Sequence, residues 1–501
     1  MSAPTSGKEM LEVLVLLRPN KNFQLPVHES RNQRRHFEID TLLRESAAEA
    51  ADIEAVRRYA AKHQLTIARV NRRTRTIILR GSAHAMSAAF GTTTRKLLKI
   101  PLELDCVIGV FGLNKRPVSK RPGRIAFPPE ESMTPPPVTA NTRRPKDFRK
   151  LYEFPRNATG KGQCIAVLEF GGGFSRAKLR SYLNKLGVTP PRIIVREIAP
   201  GGNHPLNRQG TLSPDAEVYM DLEILASVAP HATLVVYFAE NSSRGWIEAM
   251  QAAIFDRKHR ISVLSVSWGQ AEMYWDAQTI AAIEHLLQMA ALLGITVCCS
   301  SGDRGVFEAN TQPYSVPYPA SSPHVLACGG TRLDILPDAR RRETVWNDSR
   351  VSGVASGGGI SRLFGLPTFQ EAHHVPARFG TSAKGRGIPD VAANASAATG
   401  YLIWADDTAM SLGGTSATAP LWAGLVACLN EALGRRIGYF TPLLYRRKRN
   451  PGLRNIYEGN NRLDGRNGYD ARKTWDACTG LGSPHGIKLL GWLKRAFDLP
   501  S

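Results

Sequence analysis

Beyond Phe154-Pro155, apolar runs of strand length alternate with segments of helical periodicity. The strand-like runs are Cys164–Phe170, Ile193–Ile198, Thr233–Phe238, Ser262–Trp268, Ile295–Ser300 and Val325–Cys328. Ser175–Leu186, Ala216–Val228, Trp246–Phe255 and Thr279–Leu293 read as the helices between them. A strand that is apolar at successive positions has to bury both faces, and helices laid on either side of a parallel sheet bury them. The pattern therefore predicts an α/β domain built on a doubly wound parallel sheet, occupying residues 147–501.

A chain of 501 residues is too long for a single ordinary core. The N-terminal part carries its own pattern. Residues 11–17 read as a strand, Thr41–Ala48 and Asp52–His63 as helices, Leu65–Val70 and Thr76–Leu79 as a strand pair, and Ala83–Phe90 as a short helix. Residues 1–114 thus form an α+β unit of ferredoxin-like kind. Residues 115–146 are rich in Pro and Arg, with Arg116-Pro117, Arg121-Pro122 and Pro135-Pro136-Pro137, and predict an exposed linker open to cleavage.

Lys plus Arg number 65 against 43 Asp plus Glu, a net charge of +22. The excess is densest toward the N-terminus and has no nucleic-acid motif beside it, so a solvated basic surface is expected and no nucleic-acid partner. Seven cysteines, none in a C-x-x-C pair and most within apolar runs, predict neither a disulfide framework nor a zinc site. No run of about 18 apolar residues predicts a membrane span, and the first residues show no recognisable secretory signal.

Three stretches carry chemistry. Gly413-Gly414-Thr415-Ser416-Ala417-Thr418-Ala419-Pro420 precedes an apolar helical pattern at Leu421, Leu425, Cys428, Leu429 and Leu433. Ser416 falls near the helix N-terminus, as a nucleophile or as a cap. In Ser213-Pro214-Asp215-Ala216-Glu217-Val218-Tyr219-Met220-Asp221, Ser213 can cap a helix that sets Glu217 and Asp221 one turn apart. Ile224, Leu225 and Val228 continue that face, so the two carboxyl groups are buried and have to share a proton. Such a pair can serve as base and orienter. Ser300-Ser301-Gly302-Asp303-Arg304-Gly305 ends a predicted strand, where α/β sheets bind ligands, and a protonated Asp303 could donate to a developing oxyanion.

Together these stretches resemble the sedolisin family of serine-carboxyl peptidases, its kumamolisin-like members in particular. Leu168-Glu169-Phe170-Gly171-Gly172-Gly173, Ser265-Val266-Ser267-Trp268-Gly269 and Cys478-Thr479-Gly480-Leu481-Gly482 look like the family too. The resemblance implies a subtilisin-like catalytic domain behind an inhibitory prodomain. It implies Ser416 as nucleophile, Glu217 as base, Asp221 as its orienter and Asp303 as oxyanion donor, with Glu169 and Trp268 in a supporting network. The reaction implied is endoproteolysis of polypeptides at acidic pH by a monomer made as a zymogen, held by its own prosegment. Extracellular residence fits the family.

The resemblance also implies one calcium site. The matching residues are Asn455, Ile456, Arg472, Thr474 and Asp476. Asn455 stands where the family has Asp, and two cations lie nearby, so weakened binding is expected. Subtilisin is the nearest rival, but no His-Gly-Thr-His-like stretch exists, and His373-His374 lies late, in a loop expected at the surface. The other alternative is a catalytically silent binding protein on a protease scaffold.

Overall fold

The computed structural model describes residues 10–23, 36–91, 100–113, 117–119, 137–206, 214–308, 314–446, 452–463 and 466–500. Ser213 and most of the expected linker lie outside the described residues.

The N-terminal unit runs strand Met10–Leu17, helices Ile39–Glu45 and Ala50–Lys62, strands Thr66–Asn71 and Thr76–Ser82, helix Ala83–Phe90 and strand Val107–Phe111. Its four strands are antiparallel, with Met10–Leu17 between Thr76–Ser82 and Val107–Phe111. This is the ferredoxin-like arrangement. Met10–Leu17 is apolar at successive positions because both of its faces are covered. Val13, Val15 and Leu17 enter the unit's own core with Val56, Tyr59 and Met86. Leu14 and Leu16 point the other way, into a cluster with Trp246, Ile247 and Leu286 of the larger domain.

That domain holds an eight-stranded sheet. The order along it is Arg341–Val345, Leu326–Ile335, Thr296–Ser300, Val263–Val266, Cys164–Glu169, Thr233–Ala239, Ile193–Ile198, with Val391–Asn394 also on Leu326–Ile335. Only Arg341–Val345 is antiparallel. The two-residue strand period sorts side chains onto two layers. Ile165 and Val167 join the layer of helices Pro214–Val228 and Thr415–Leu433, while Ala166 and Leu168 join that of Ser243–Ile254 and Ala277–Leu292. The seven cysteines are free, and among the described residues no helix is long and apolar enough to cross a membrane.

Several expectations need correction. The run Ser262–Trp268 is a strand only over Val263–Val266, because Ser267 and Trp268 leave the ladder to meet buried carboxyl groups. The run Val325–Cys328 extends to Ile335, gaining an antiparallel neighbour. His373 is not in a surface loop: it is buried in a short 3₁₀ turn, 2.9 Å from Tyr445 O through Nε2.

Helices Pro214–Val228 and Thr415–Leu433 cross at Gly424, where a Cβ would sit 2.3 Å from Val228 Cγ2. Gly424→Val is expected to cost about 1–3 kcal/mol by overpacking. Gly491→Ala, in helix Gly486–Ala496 with only the Arg495 guanidinium near, should instead stabilise by up to about 1 kcal/mol. Urea denaturation of a Ser416→Ala background reads both; equal effects would mean the crossing is not tight.

Candidate active site

The carboxyl ends of the parallel strands deliver Glu169, then Ser267 and Trp268 just past Val266, then Asp303 three residues past Ser300. Helix Pro214–Val228 supplies the acid pair. Pro214 opens it, and every residue from Asp215 to Val228 is buried. Burial on all sides, rather than along one stripe, leaves Glu217 6 % and Asp221 0 % exposed. Glu223 is no solvated partner of theirs. It is also 0 % exposed, its Oε2 accepts from Trp404 N at 3.1 Å, and burial pushes its carboxyl well up.

Asp221 is pushed well above the usual carboxylate range, first by burial and then by the charges of Glu169 and Glu217. Ser267 Oγ opposes that shift by donating to Asp221 Oδ1 at 2.9 Å. Trp268 Nε1 donates to Glu169 Oε2 at 3.0 Å. Two consecutive residues thus hold two different carboxyl groups at one strand end.

Ser416 is the second residue of its helix and is 2 % exposed. Neither Thr415 nor Ser416 caps the helix; Gly414 does, with φ of +89° and no side-chain bond. A Cβ at Gly414 would also lie 2.7 Å from Asp303 Oδ2, so glycine is required there twice over. The Ser416 hydroxyl donates to Ser267 O at 3.4 Å, and Ser267 Oγ lies 3.2 Å from Ser416 O. Asp303 is 5 % exposed. Its Oδ1 accepts from Thr415 N and Thr415 Oγ1, both at 2.7 Å, and Thr415 Oγ1 accepts from Gly302 N at 3.0 Å. Burial pushes Asp303 up to about 6 despite those donors.

The structure therefore gathers three hydrogen-bonded groups, Trp268 with Glu169, Ser267 with Asp221 and Ser416, and Thr415 with Asp303, joined through adjacent residues of the chain, with Glu217 a turn from Asp221 and felt by it electrostatically. Sequence reasoning assigned no part to Ser267 and only a helix cap to Thr415, though both stand inside motifs it quoted. Each hydroxyl is flanked by residues whose roles were read, which was the available signal.

Asn455, Ile456, Arg472, Thr474 and Asp476 form a separate locus, which a structural calcium ion fits poorly. Asp476 Oδ1 already accepts from Cys478 N at 2.9 Å and Thr479 N at 2.8 Å, and Oδ2 from Arg472 N at 3.0 Å. Asn455 Nδ2 sits 3.5 Å from Thr474 O, a carbonyl the cation would need. Among the described residues no cluster of three or more His, Cys, Asp or Glu side chains is placed to hold a metal.

A sequence profile of the subtilase family matches residues 201–446. Kumamolisin of Bacillus sp. (strain MN-32) is 38% identical over 97% of this chain and 92% of its own length. Sedolisin of Pseudomonas sp. (strain 101) is 29% identical over 83% of this chain and 74% of its own. A solved structure of Pseudomonas sedolisin, described as a serine-carboxyl proteinase bound to two molecules of pseudo-iodotyrostatin, superposes with a TM-score of 0.60. It is 29% identical and covers 72% of this chain and 99% of the solved one.

Asp303 gives a pH signature. A carboxyl whose folded value lies above its unfolded 3.8 binds its proton more tightly when folded. Its stabilising contribution is full below 3.8 and is lost as the pH rises through about 6. Against an Asp303→Asn variant, both as Ser416→Ala, the Tm difference should shrink or reverse across that window. A Tm difference flat from pH 3 to 7 would contradict the assignment.

Proposed function

This chain belongs to the sedolisin family of serine-carboxyl peptidases, with kumamolisin-like character, and on that footing we propose that it is an acid-acting endopeptidase made as a zymogen. The observation that carries the proposal is the bridge from the buried Asp221 through Ser267 to Ser416, with Asp303 fixed across the same helix terminus.

In this reading the Ser416 hydroxyl rotates from Ser267 O toward Glu217, gives up its proton there and attacks the scissile carbonyl. Asp221 orients Glu217 and shares the proton that two adjacent buried carboxyl groups cannot both release. Asp303, protonated at Oδ2 because Oδ1 is committed to Thr415, donates to the tetrahedral oxyanion. Glu217 then returns its proton to the leaving amine, and water resolves the acyl-enzyme by the same route in reverse. Glu169 and Trp268 support the network from the far side. Acid operation follows, since a carboxylate base ionises far below an imidazole and Asp303 donates only while protonated.

The N-terminal unit is the inhibitory cover, residues 1–114, followed by the linker 115–146 and the catalytic domain 147–501. Supporting this, Phe37 N donates to Leu292 O at 2.9 Å, Trp246 Nε1 to Ser119 Oγ at 3.1 Å and Val110 N to Gln278 Oε1 at 3.1 Å. Asp40 pairs with Arg257 at 2.5 Å, Glu38 with Arg260 at 3.2 Å and Glu12 with Arg244 at 3.6 Å. Processing falls between about 130 and 145, in a stretch partly outside the described residues. The active form is an extracellular monomer.

A pH series of proteolysis on a denatured protein substrate, with intact-mass analysis, tests this reading. Wild type should process itself and cut the substrate on acidification. Ser416→Ala and Glu217→Ala should do neither, with losses of at least about 10³-fold. Arg257→Ala with Arg260→Ala should release the cover at a slightly higher pH, because exposed pairs contribute only about 0–1 kcal/mol each. Pure Ser416→Ala that still matured would refute self-processing, and wild type that stayed whole and inert would favour the binding protein.

At the C-terminal locus, calcium binds weakly at most and the fold does not depend on it. Chelator should move the Tm of Ser416→Ala by less than about 2 °C. Asn455→Asp should introduce a calcium-dependent rise in Tm. Calorimetry showing tight binding by the unmodified chain would contradict this.

A further inference from the structure

We propose that Ser267 is a positioning residue that couples the protonation of Asp221 to the peptide unit of Ser416, an inference that rests on the catalytic reading above and extends it. Ser267 is 0 % exposed, so no water competes for its hydroxyl. That hydroxyl has one proton and two acceptors in reach, Asp221 Oδ1 at 2.9 Å and Ser416 O at 3.2 Å. Its own carbonyl accepts from Ser416 Oγ at 3.4 Å. One residue thus touches the orienting acid with its side chain and the nucleophile with both its side chain and its backbone.

The two acceptors cannot be served at once. When Asp221 is charged, the carboxylate is the closer and stronger acceptor, and Ser267 donates to it. That commits Oδ1 and leaves Oδ2, which is buried and has no hydrogen-bond partner among the described residues, as the oxygen available to the shared proton. When Asp221 is protonated at Oδ1, it donates to Ser267 Oγ, and Ser267 turns its own proton to Ser416 O. The chain of bonds runs in the opposite sense in the two states, which differ by the one proton that Asp221 takes up from the shared acid pair. The groups facing Asp221 are Glu217 on its own helix, Glu169 at the end of Cys164–Glu169 and Ser267 itself.

The sequence around Ser267 fits this part. Leu168 and Val266 form the last pair between their two strands, so Glu169 and Ser267 both follow directly at the sheet's carboxyl edge. A hydroxyl there is the smallest group able to donate without filling the space between two buried acids.

The test compares Ser267→Ala, Ser267→Cys and Ser267→Thr with wild type. Ser267→Cys keeps most of the volume with a poor donor, and Ser267→Thr keeps the hydroxyl. The Ala and Cys variants should keep KM within about threefold and lose about tenfold to a hundredfold in kcat, the factor for a hydrogen bond to a charged group. The acid limb of their pH profiles should move up, because Asp221 loses the donor that favours its ionised form. Ser267→Thr should restore the limb. An activity-independent reading comes from difference infrared titration of the buried carboxyl band in a Ser416→Ala background, where Ser267→Cys should raise its midpoint. A folded Ser267→Cys variant with unchanged kcat, limb and midpoint would overturn the positioning role while leaving the peptidase intact. Wild type without Ser416-dependent proteolysis would overturn both.

Discussion

Three carboxyl groups, Glu169, Glu217 and Asp221, are taken out of water beneath one edge of the sheet, and most of the local structure answers that cost. An ionised carboxylate moved into such surroundings without partners is too unstable to persist. Here Asp221 is pushed up by burial and by its two acidic neighbours, so the group shares fewer charges than it has carboxyls. Ser267 and Trp268 leave the ladder one residue after its last pair and donate to Asp221 and Glu169 respectively. The same pressure shapes the helix beneath: it is buried all round, and even Glu223 on its far side is met by the backbone N–H of Trp404.

The second constraint is proximity. Ser416 is useful only if its helix stays close to the acid helix, and Gly424 lets the two axes approach where any side chain would strike Val228. Thr415 ties the serine helix to the loop after Thr296–Ser300 by donating to Asp303 and accepting from Gly302 N. On the proposed reading, nucleophile, acid pair and oxyanion donor are thereby fixed to three elements that are themselves held together. Charge that develops during attack meets groups already in place, which is the condition under which buried dipoles are most effective.

Much of this was legible before any coordinates. The apolar runs announced a sheet covered on both sides, and the four-residue spacing of Glu217 and Asp221 placed them on one face of a core helix. What escaped has a common cause. Ser267 reads as one more residue of an apolar run; only the packing of helix Pro214–Val228 against the strand end reveals that its hydroxyl meets Asp221. Thr415 reads as a cap until Asp303, over a hundred residues earlier, is seen to accept from it twice. His373 looked polar and late in the chain, hence superficial, yet its ring packs edge-on against Tyr445. Local pattern carries burial and periodicity well and carries side-chain partnership across the sheet poorly.

The N-terminal unit turns the same carboxyl chemistry outward. Its central strand offers Leu14 and Leu16 to the layer of Trp246 and Leu286, an apolar contact that pH does not touch. Around that contact Glu12, Glu38 and Asp40 of this unit meet Arg244, Arg257 and Arg260 of the larger domain, while Arg69 faces Glu248 in the opposite sense. The Arg80 guanidinium bonded to Glu12, helped by Arg244, holds that carboxyl below the usual range. For a group so depressed, the stabilisation is present above the unfolded value and is lost as the pH falls through the folded one. Protonation of Glu12 therefore removes the negative side of its contact with Arg244 and leaves the guanidinium charged, on a chain of net charge +22. On the proposed reading, that loss of attraction loosens the N-terminal unit in acid, while the same acid keeps Asp303 protonated. In that reading a single variable, carboxyl protonation, governs both the exposure of the cleft and its readiness to react.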